Sequence, residues 1–437
     1  MHRLRHSACS LFLLVVTTAS ASQDQTAFST AARNVLYRGA ASLTLEVLEH
    51  HGSRPNSGAS EQRERNALLS PLALALSFAV VLEGSVAGTI DRILETLHWQ
   101  LLRDPDIRYV MARSLHRLSQ LPNDSVRVEA AAFVQRDFDV VRAYRESLDT
   151  YYGADVLLVN FLDQRAALVA INSWVCRVTS RVILRLLLDK TSEIDSKSRF
   201  VATGVLTLKL AFDRPFLNPR VQLPFFTSPV ESQSVESMHT TGTFGYKRFA
   251  DHGFEAVALP LLSGNLSLLL LMPVDGSTLA AVRKTLVTHP DLLLNLEAEM
   301  EPTVVEVTLP RFKVTAVCGL KSALTSLGHE FLFDRFKTNM GAVSRHGHAY
   351  VSNILNAVSL DVGPITTTTT TTTTASGHET DAPVNEATDA SMTNPAVAFH
   401  VNKPFIYVVV DKADGLPLAV GQFVDPSGTA NEATSKL

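Results

Sequence analysis

The sequence predicts an α+β chain. Three stretches repeat apolar residues at helical spacing, several others alternate or run apolar like strands, and no regular alternation of helix and strand orders them. Composition sets the scale: 46% of the 437 residues are hydrophobic, which supplies a large core and lies far from a disordered composition.

The chain begins MHRLRHSACSLFLLVVTTASAS. Arg3 and Arg5 make a basic start, Leu11 to Val16 an apolar segment, and Ala19-Ser20-Ala21 a small-residue cleavage site, so residues 1–21 read as a secretory leader. LLSPLALALSFAVVLEGS is too short to span a bilayer, and Pro71 near its start with Gly84 near its end fits a buried core helix. Ile90, Ile93, Leu94 and Leu97 then repeat along one helix face, as do Ile171, Trp174, Val175 and Val178. Leu320, Leu324 and Leu327 predict a third such helix, ended by Gly328. Strands dominate the second half: GVLTLKLAF alternates, LSLLLLMP is continuously apolar, and VVEVTLPRFKV alternates again. FIYVVVDKADGLPLAVGQFV reads as a hairpin turning at Asp414-Gly415.

Several functions lack their residues. A net charge of −4 without a basic arm argues against nucleic acid as a partner. No His-Glu-x-x-His, Cys-x-x-Cys, calcium-loop, Walker or Gly-x-Ser-x-Gly pattern occurs, and GTFG at Gly242–Gly245 falls short of a dinucleotide fingerprint. The reading therefore carries no metal, no cofactor and no enzymatic centre; His346 and His348 are read as surface histidines. With the leader and its Cys9 removed, Cys176 and Cys318 remain, no disulfide framework, and are read as buried free thiols, with a single bridge between them as the alternative. Asn123 and Asn265 begin glycosylation sequons. Arg177, Arg181 and Arg185, spaced by four, are expected on one helix face. Arg103, Arg108, Arg113 and Arg117 form a looser cluster; either group is a candidate contact for sulfated glycosaminoglycan, against a plain solvated face.

GPITTTTTTTTTASGHETDAPVNEATDASMTNP carries the remaining question. The closing hairpin cannot fold alone, so this run, with its unbroken Thr366–Thr374, is tethered at both ends to one folded body. It is not a linker between domains, and a long structureless loop inside a compact domain is usually functional, the alternative being an expanded surface insertion.

Together these stretches resemble the serpin family. SPLALALSFAVVLEGSVAGTIDRILETLHW is similar to its early buried helix and the one after it, INSWVCRVTSRVI to its INxWV helix, and VLTLKLAFDRPF to its strand before a Pro-Phe turn. VALPLLSGNLSLLLLMP, LPRFKVTAVCGLKSALTSLG and VNKPFIYVVVDKADGLPLAVGQFVDP follow in the family's order, from about Ala27 to Pro426. Within the family, Gly328–Val362 looks most like the plasminogen-activator-inhibitor clade. The resemblance implies one domain over 22–437, three sheets, eight or nine helices, a reactive-centre loop at about 363–399 and a flexible tail at about 427–437. It also implies a secreted, monomeric inhibitor of an extracellular serine protease. In that mechanism the cut loop inserts into the central sheet and drags the acylated protease with it.

The family's machinery falls on altered residues. Ser70 and Pro71 match its shutter, where the sheet must part, but the second serine is Ala73 and the shutter histidine is Asn356. Gly204 stands where the family starts a strand with asparagine, and Phe212 replaces the breach tryptophan at that strand's end. The hinge reads Pro364, Ile365, Thr366, Thr367 and onward through Thr369 to Ala375, where the family has Glu-x-Gly-Thr and small residues. Threonine accepts an extended backbone, but three or four hydroxyls buried without partners cost roughly 5–10 kcal/mol. A new strand's ten or so hydrogen bonds contribute about 0.5–1.5 kcal/mol each, a gain of similar size. The loop exceeds the family pattern by about a dozen residues, roughly 40 Å of slack at about 3.3 Å per residue. Distance from Asn402-Lys403-Pro404-Phe405 makes Met392-Thr393 the best candidate for the scissile bond, against Met392 as an incidental loop residue. Three readings stay open: an inhibitor acting by loop insertion, a non-inhibitory serpin binding a glycosaminoglycan, hormone or protein, and an O-glycosylated interaction protein with a mucin-like loop.

Overall fold

The computed structural model describes residues 23–52, 64–121, 125–187, 193–346, 349–363 and 397–428. The chain runs through α1 (Gln23–Gly52), β1 (Ala67–Leu69), α2 (Pro71–Gly84), α3 (Gly88–Thr96) and α4 (Asp104–Ser119). Next come β2 (Val126–Gln135), α5 (Arg142–Ser147), β3 (Asp155–Val159), α6 (Gln164–Val178), β4 (Phe200–Leu210), β5 (Leu217–Phe226), β6 (Ser232–Phe249), β7 (Phe254–Pro260) and β8 (Leu266–Pro273). The rest is α7 (Leu279–Thr288), α8 (Pro290–Asn295), β9 (Glu301–Pro310), β10 (Phe312–Gly319), α9 (Leu320–Ser326), β11 (Val351–Val362), β12 (Val397–His400), β13 (Phe405–Asp411) and β14 (Leu416–Phe423).

Two sheets result. The smaller has five strands in the order β10-β11-β4-β2-β3, and the larger has nine, β1-β14-β13-β8-β7-β6-β9-β12 with β5 beside β6. The third sheet implied by the resemblance is continuous with the second because β6 serves both. Its Ser237–Tyr246 stretch pairs with β9, while Gly245–Phe249 pairs with β7. The closing hairpin sits deep in this sheet, with β13 paired to β8 and β14 to β1. Gly415, at φ 65°, supplies the left-handed residue of its turn.

α2 lies between the sheets. Ser70 caps it by accepting the Ala73 N–H at 3.0 Å, and Pro71 fills the first turn, where no donor is needed. Every α2 residue except Glu83 is buried, against β2, β4 and β11 on one side and β14 on the other. No helix among the described residues is long and apolar enough to cross a membrane.

The opposite face of the five-stranded sheet is covered by α6. Asp163 caps this helix at 3.0 Å, and Ile171, Trp174, Val175 and Val178 point inward. They form a second core with Phe133, Val201, Val205, Leu355 and Ala357, joined by Ile183, Leu186, Leu187 and Ile194 from the segment after the helix. Asn172 fastens that segment down, accepting from Leu186 N–H at 2.7 Å and Leu187 N–H at 3.0 Å and donating to the Leu187 carbonyl at 2.8 Å.

Buried charge ties α7 to the hairpin. The Arg283 side chain is 1% exposed; it bonds to Glu49, to Glu64 at 3.2 Å and to the Gln422 amide oxygen at 2.7 Å. Removing one partner of such a cluster strands the others. Arg283→Met is expected to cost about 1–3 kcal/mol and to lower the melting temperature of the uncleaved protein, because Glu49 and Glu64 stay partly in contact with water. An unchanged melting curve would show the cluster to be neutral.

Candidate functional site: the seam of the five-stranded sheet

β11 lies parallel to β4 over the whole of both strands, from Val351 opposite Phe200 to Val362 opposite Leu210. β10 and β2, on either side, run antiparallel to their neighbours β11 and β4. The chain leaves β11 at the Val362–Gly363 end of the seam and is next described at β12, in the other sheet. A segment turning back from Val362 would run antiparallel to both β11 and β4. Placed between them, it would exchange one parallel pairing for two antiparallel ones and add a strand's worth of hydrogen bonds. The seam can therefore accept one strand from the loop that follows it.

Midway along the seam, Asn356 lies level with Gly204. β4 begins at Phe200, so Gly204 falls inside the strand rather than at its start; Val201 and Ala202 extend the apolar run backward. Asn356 does not reach across to β4 with its amide. It donates to the Ser70 carbonyl at 3.1 Å and accepts the Ser70 N–H at 3.2 Å, fastening β11 to the cap of α2. A Cβ on Gly204 would lie 2.7 Å from the Ala73 carbonyl carbon, 2.8 Å from Ser77 Oγ, and closer still to the Ala73 oxygen. Glycine here lets helix and strand backbones approach. Ser77 and Thr203 direct their hydroxyls to the Leu355 carbonyl at 3.5 and 3.3 Å, and Ser352 accepts the Arg199 N–H at 2.8 Å. Thr203 and Ser352 thus make side-chain ties across the closed seam, while Ser77 reaches β11 from α2.

Core covers both faces of the lower seam. Ala202, Leu206, Ile354 and Val358 face the α2 side, and Val201, Val205, Leu355 and Ala357 the α6 side. Near the loop end one face opens, with Lys209 and Lys313 exposed and Lys313 3.8 Å from Asp361. A strand placed in the seam would thus keep one wet face near its start and bury both faces deeper down.

Phe212 sits past the end of β4, half-buried, bridged to Leu261 and edge-on to Phe216 at 4.8 Å. Pro364, Thr366, Thr367, Thr369, Ala375, Met392 and Thr393 lie outside the described residues, as do the leader, Asn123, His348 and most of the tail. Asn265 is exposed in the turn between β7 and β8, and His346 is exposed. No disulfide joins Cys176 to Cys318; Cys176 is half-buried on α6, and Cys318 Sγ lies 2.9 Å from His51 Nε2.

The arginines depart from expectation. α6 ends at Val178, and Ser180 and Arg181 take left-handed φ of 50° and 66°, so Arg181 and Arg185 are not on a helix face with Arg177. The Arg181 N–H turns back to the Cys176 carbonyl at 2.8 Å. In the second cluster, Arg108 grips Glu83 with bonds of 2.6 and 2.8 Å. Arg117 pairs with Asp411 and, at 2.9 Å, with Asp414, which Arg33 also contacts at 2.7 Å. Burial pushes the Asp411 carboxyl above its ordinary range, against the pull of Arg117. Arg108 and Arg117 therefore hold the body together, leaving Arg113 as the exposed member on α4. Charge was legible in the sequence; the carboxylate partners, from Glu83 to the distant Asp411 and Asp414, were not.

A family model described as Serpin (serine protease inhibitor) matches residues 56–426. The chain belongs to the serpin family. That family is one of protease inhibitors rather than enzymes, and its relatives here include leukocyte elastase inhibitor A of Mus musculus. Serpin H1 of Mus musculus is 24% identical over 377 residues, covering 85% of each chain. Antithrombin-III of Homo sapiens is 24% identical over 378 residues, 84% of this chain and 78% of that protein. The crystal structure of mouse protein-Z dependent protease inhibitor superposes with a TM-score of 0.74 at 19% identity, covering 91% of this chain and 98% of that one. Serpin architecture thus accounts for the five-stranded sheet and the loop beside its seam.

Two substitutions probe the seam. Gly204→Ala is expected to destabilise the uncleaved serpin by about 1–3 kcal/mol, because the atoms it meets are largely backbone. Asn356→Ala leaves the buried Ser70 N–H without its acceptor, at a cost of about 1–3 kcal/mol. Thermal melting of the uncleaved protein checks both; wild-type melting temperatures would show that helix and seam are not clamped here.

Proposed function

We propose that this serpin is a secreted glycoprotein that presents its reactive-centre loop to an extracellular serine protease, with Met392-Thr393 as the scissile bond. The observation that carries this reading is the closed parallel pairing of β4 with β11, immediately followed by the loop. Thr366–Ala375 is the inserting segment. Its passage is opposed by the seam's double cover: on either face, threonine hydroxyls would replace apolar contacts around Val201, Val205, Leu355 and Val358. Pro364 also lacks the N–H a central strand uses. Slack from the long loop delays tension on the acylated protease, so deacylation competes with trapping. The protein acts as a substrate-leaning inhibitor, cut more often than it traps. The leader and the exposed Asn265 sequon support secretion and glycosylation, and the pattern in Gly328–Val362 supports a place near the plasminogen-activator-inhibitor clade.

Incubation with trypsin-like and chymotrypsin-like proteases, followed by denaturing electrophoresis and mass spectrometry, tests this. The expected products are chains cut between Met392 and Thr393, with a minor band of covalent complex. Stoichiometric covalent complex would contradict the slack-tether argument, and a loop resistant to every protease would overturn the assignment altogether.

A further inference from the structure

Along the outer surface of α6 runs an open groove of about 1270 Å³. Four exposed arginines line it: Arg165 in the first turn, Arg177 in the last, and Arg181 and Arg185 from the segment that follows. Arg127 and Asn172 fold that segment back along the helix. Arg127 donates to the Val178 carbonyl at 3.2 Å and to Ser180 Oγ at 2.6 Å, and Asn172 holds Leu186 and Leu187. Among the described residues no carboxylate lines the groove; Arg177 pairs with Asp155 at 3.8 Å, and Asp163 is engaged as the cap of α6. Between the arginines, Val169 and Leu184 are each 61% exposed. Cations and apolar side chains thus share one uncovered surface, which suits an extended acidic segment carrying small apolar residues.

The chain carries such a segment itself. Residues 364–396, which lie outside the described residues, contain no lysine or arginine and four carboxylates: Glu379, Asp381, Glu386 and Asp389. Ala382, Pro383 and Val384 stand between the second and the third. Four negative charges match the groove's four positive ones. Glu379 to Glu386 spans about 23 Å when extended, at about 3.3 Å per residue, against about 18 Å of helix axis between Arg165 and Arg177, at about 1.5 Å per residue. Reach is also met. In the sheet Arg127 lies level with Thr207, and Thr207 with Ser359, so the end of α6 that Arg127 holds is three residues, about 10 Å along the strand, from Val362. β12, where the chain is next described, runs beside β9, which leads through Arg311 into β10, with Phe312 level with Val362. The 33 residues between Gly363 and Val397 extend to roughly 100 Å, far more than this neighbourhood requires. Tethered at both ends, the segment meets the groove at an effective concentration on the order of millimolar, so weak surface ion pairs suffice.

We propose that the acidic stretch Glu379–Asp389 of this chain docks in the groove, its carboxylates against Arg165, Arg177, Arg181 and Arg185 and its small apolar residues against Val169 and Leu184. The tether favours the chain's own stretch over that of a second copy, which arrives only at its bulk concentration. The contact is electrostatic and exposed, so it weakens as salt rises. It is a property of the folded chain alone and does not rest on inhibition. With Met392-Thr393 as the scissile bond, it also withholds the chain just before that bond from a protease.

The test uses the full-length protein without a protease, so its outcome is separate from that of loop cleavage. Cys176, half-buried in the lining, reports occupancy. Its alkylation by iodoacetamide, followed by mass spectrometry of its peptide, is expected to be slow at low salt. At about 1 M salt, where the Debye length falls to about 3 Å, it should run about tenfold faster. Neutralising the stretch with Glu379→Gln, Asp381→Asn, Glu386→Gln and Asp389→Asn should give the fast rate at low salt. Ala382→Cys should form a disulfide with Cys176 within one chain under mild oxidation. The four neutral substitutions placed on that variant leave the tether unchanged and should slow disulfide formation about tenfold. Salt-independent alkylation, equal disulfide formation with and without the carboxylates, or a cross-link joining two chains would each overturn the proposal.

Discussion

The parallel contact between β4 and β11 is the constraint on which the rest of the structure depends. Every other neighbour of these two strands in the sheet is antiparallel, so the seam is the one place where a strand folding back from β11 gains two good partners at once. Keeping the seam shut without a strand in it requires sealing both faces. α2, buried almost all round, does this below, and the apolar stripe of α6 with its returning segment does it above.

Sealing has local consequences. α2 comes so close to β4 that only glycine fits at position 204, and Asn356 secures β11 by bonding to the helix cap rather than to the neighbouring strand. The tie thus runs between sheet and helix, leaving the two strands to separate from each other through backbone bonds and a few hydroxyl contacts. The same tight cover makes the lower seam a poor host for hydroxyl side chains. A loop dominated by threonine meets the most apolar part of the molecule where it would have to be deepest. Hydrogen bonds gained and hydroxyls desolvated are of comparable size, so the balance rests on how much of the run must enter.

Much of this was legible in the sequence where a pattern answers directly to one physical cause. The unbroken apolar run of α2, the stripe of Ile171, Trp174, Val175 and Val178, and the Asp414-Gly415 turn all reappear at their expected places. The tethering of the threonine run at both ends also follows from the hairpin, which does lie in the larger sheet. α1 was not read, because its apolar residues are diluted by alanine and buried on several sides, which blurs a single stripe. The four-residue spacing of Arg177, Arg181 and Arg185 suggested continued helix; Ser180 and Arg181 adopt left-handed backbone without a glycine or proline to announce it. The fate of Arg108 and Arg117 depends on Glu83, Asp411 and Asp414, partners that only the fold brings near. Gly204 looked like a missing side chain at a strand's start and proved to be a close approach in its middle.

Amide hydrogen exchange in β4 and β11, compared before and after cleavage of the loop, tests the central claim most directly. Inserted strands protect their neighbours, and a closed seam left as it was does not. The account predicts new protection of amides in Gly204–Leu210 and Ala357–Val362 once the loop is cut, with a rise in melting temperature. Exchange rates and a melting temperature unchanged by cleavage would contradict it.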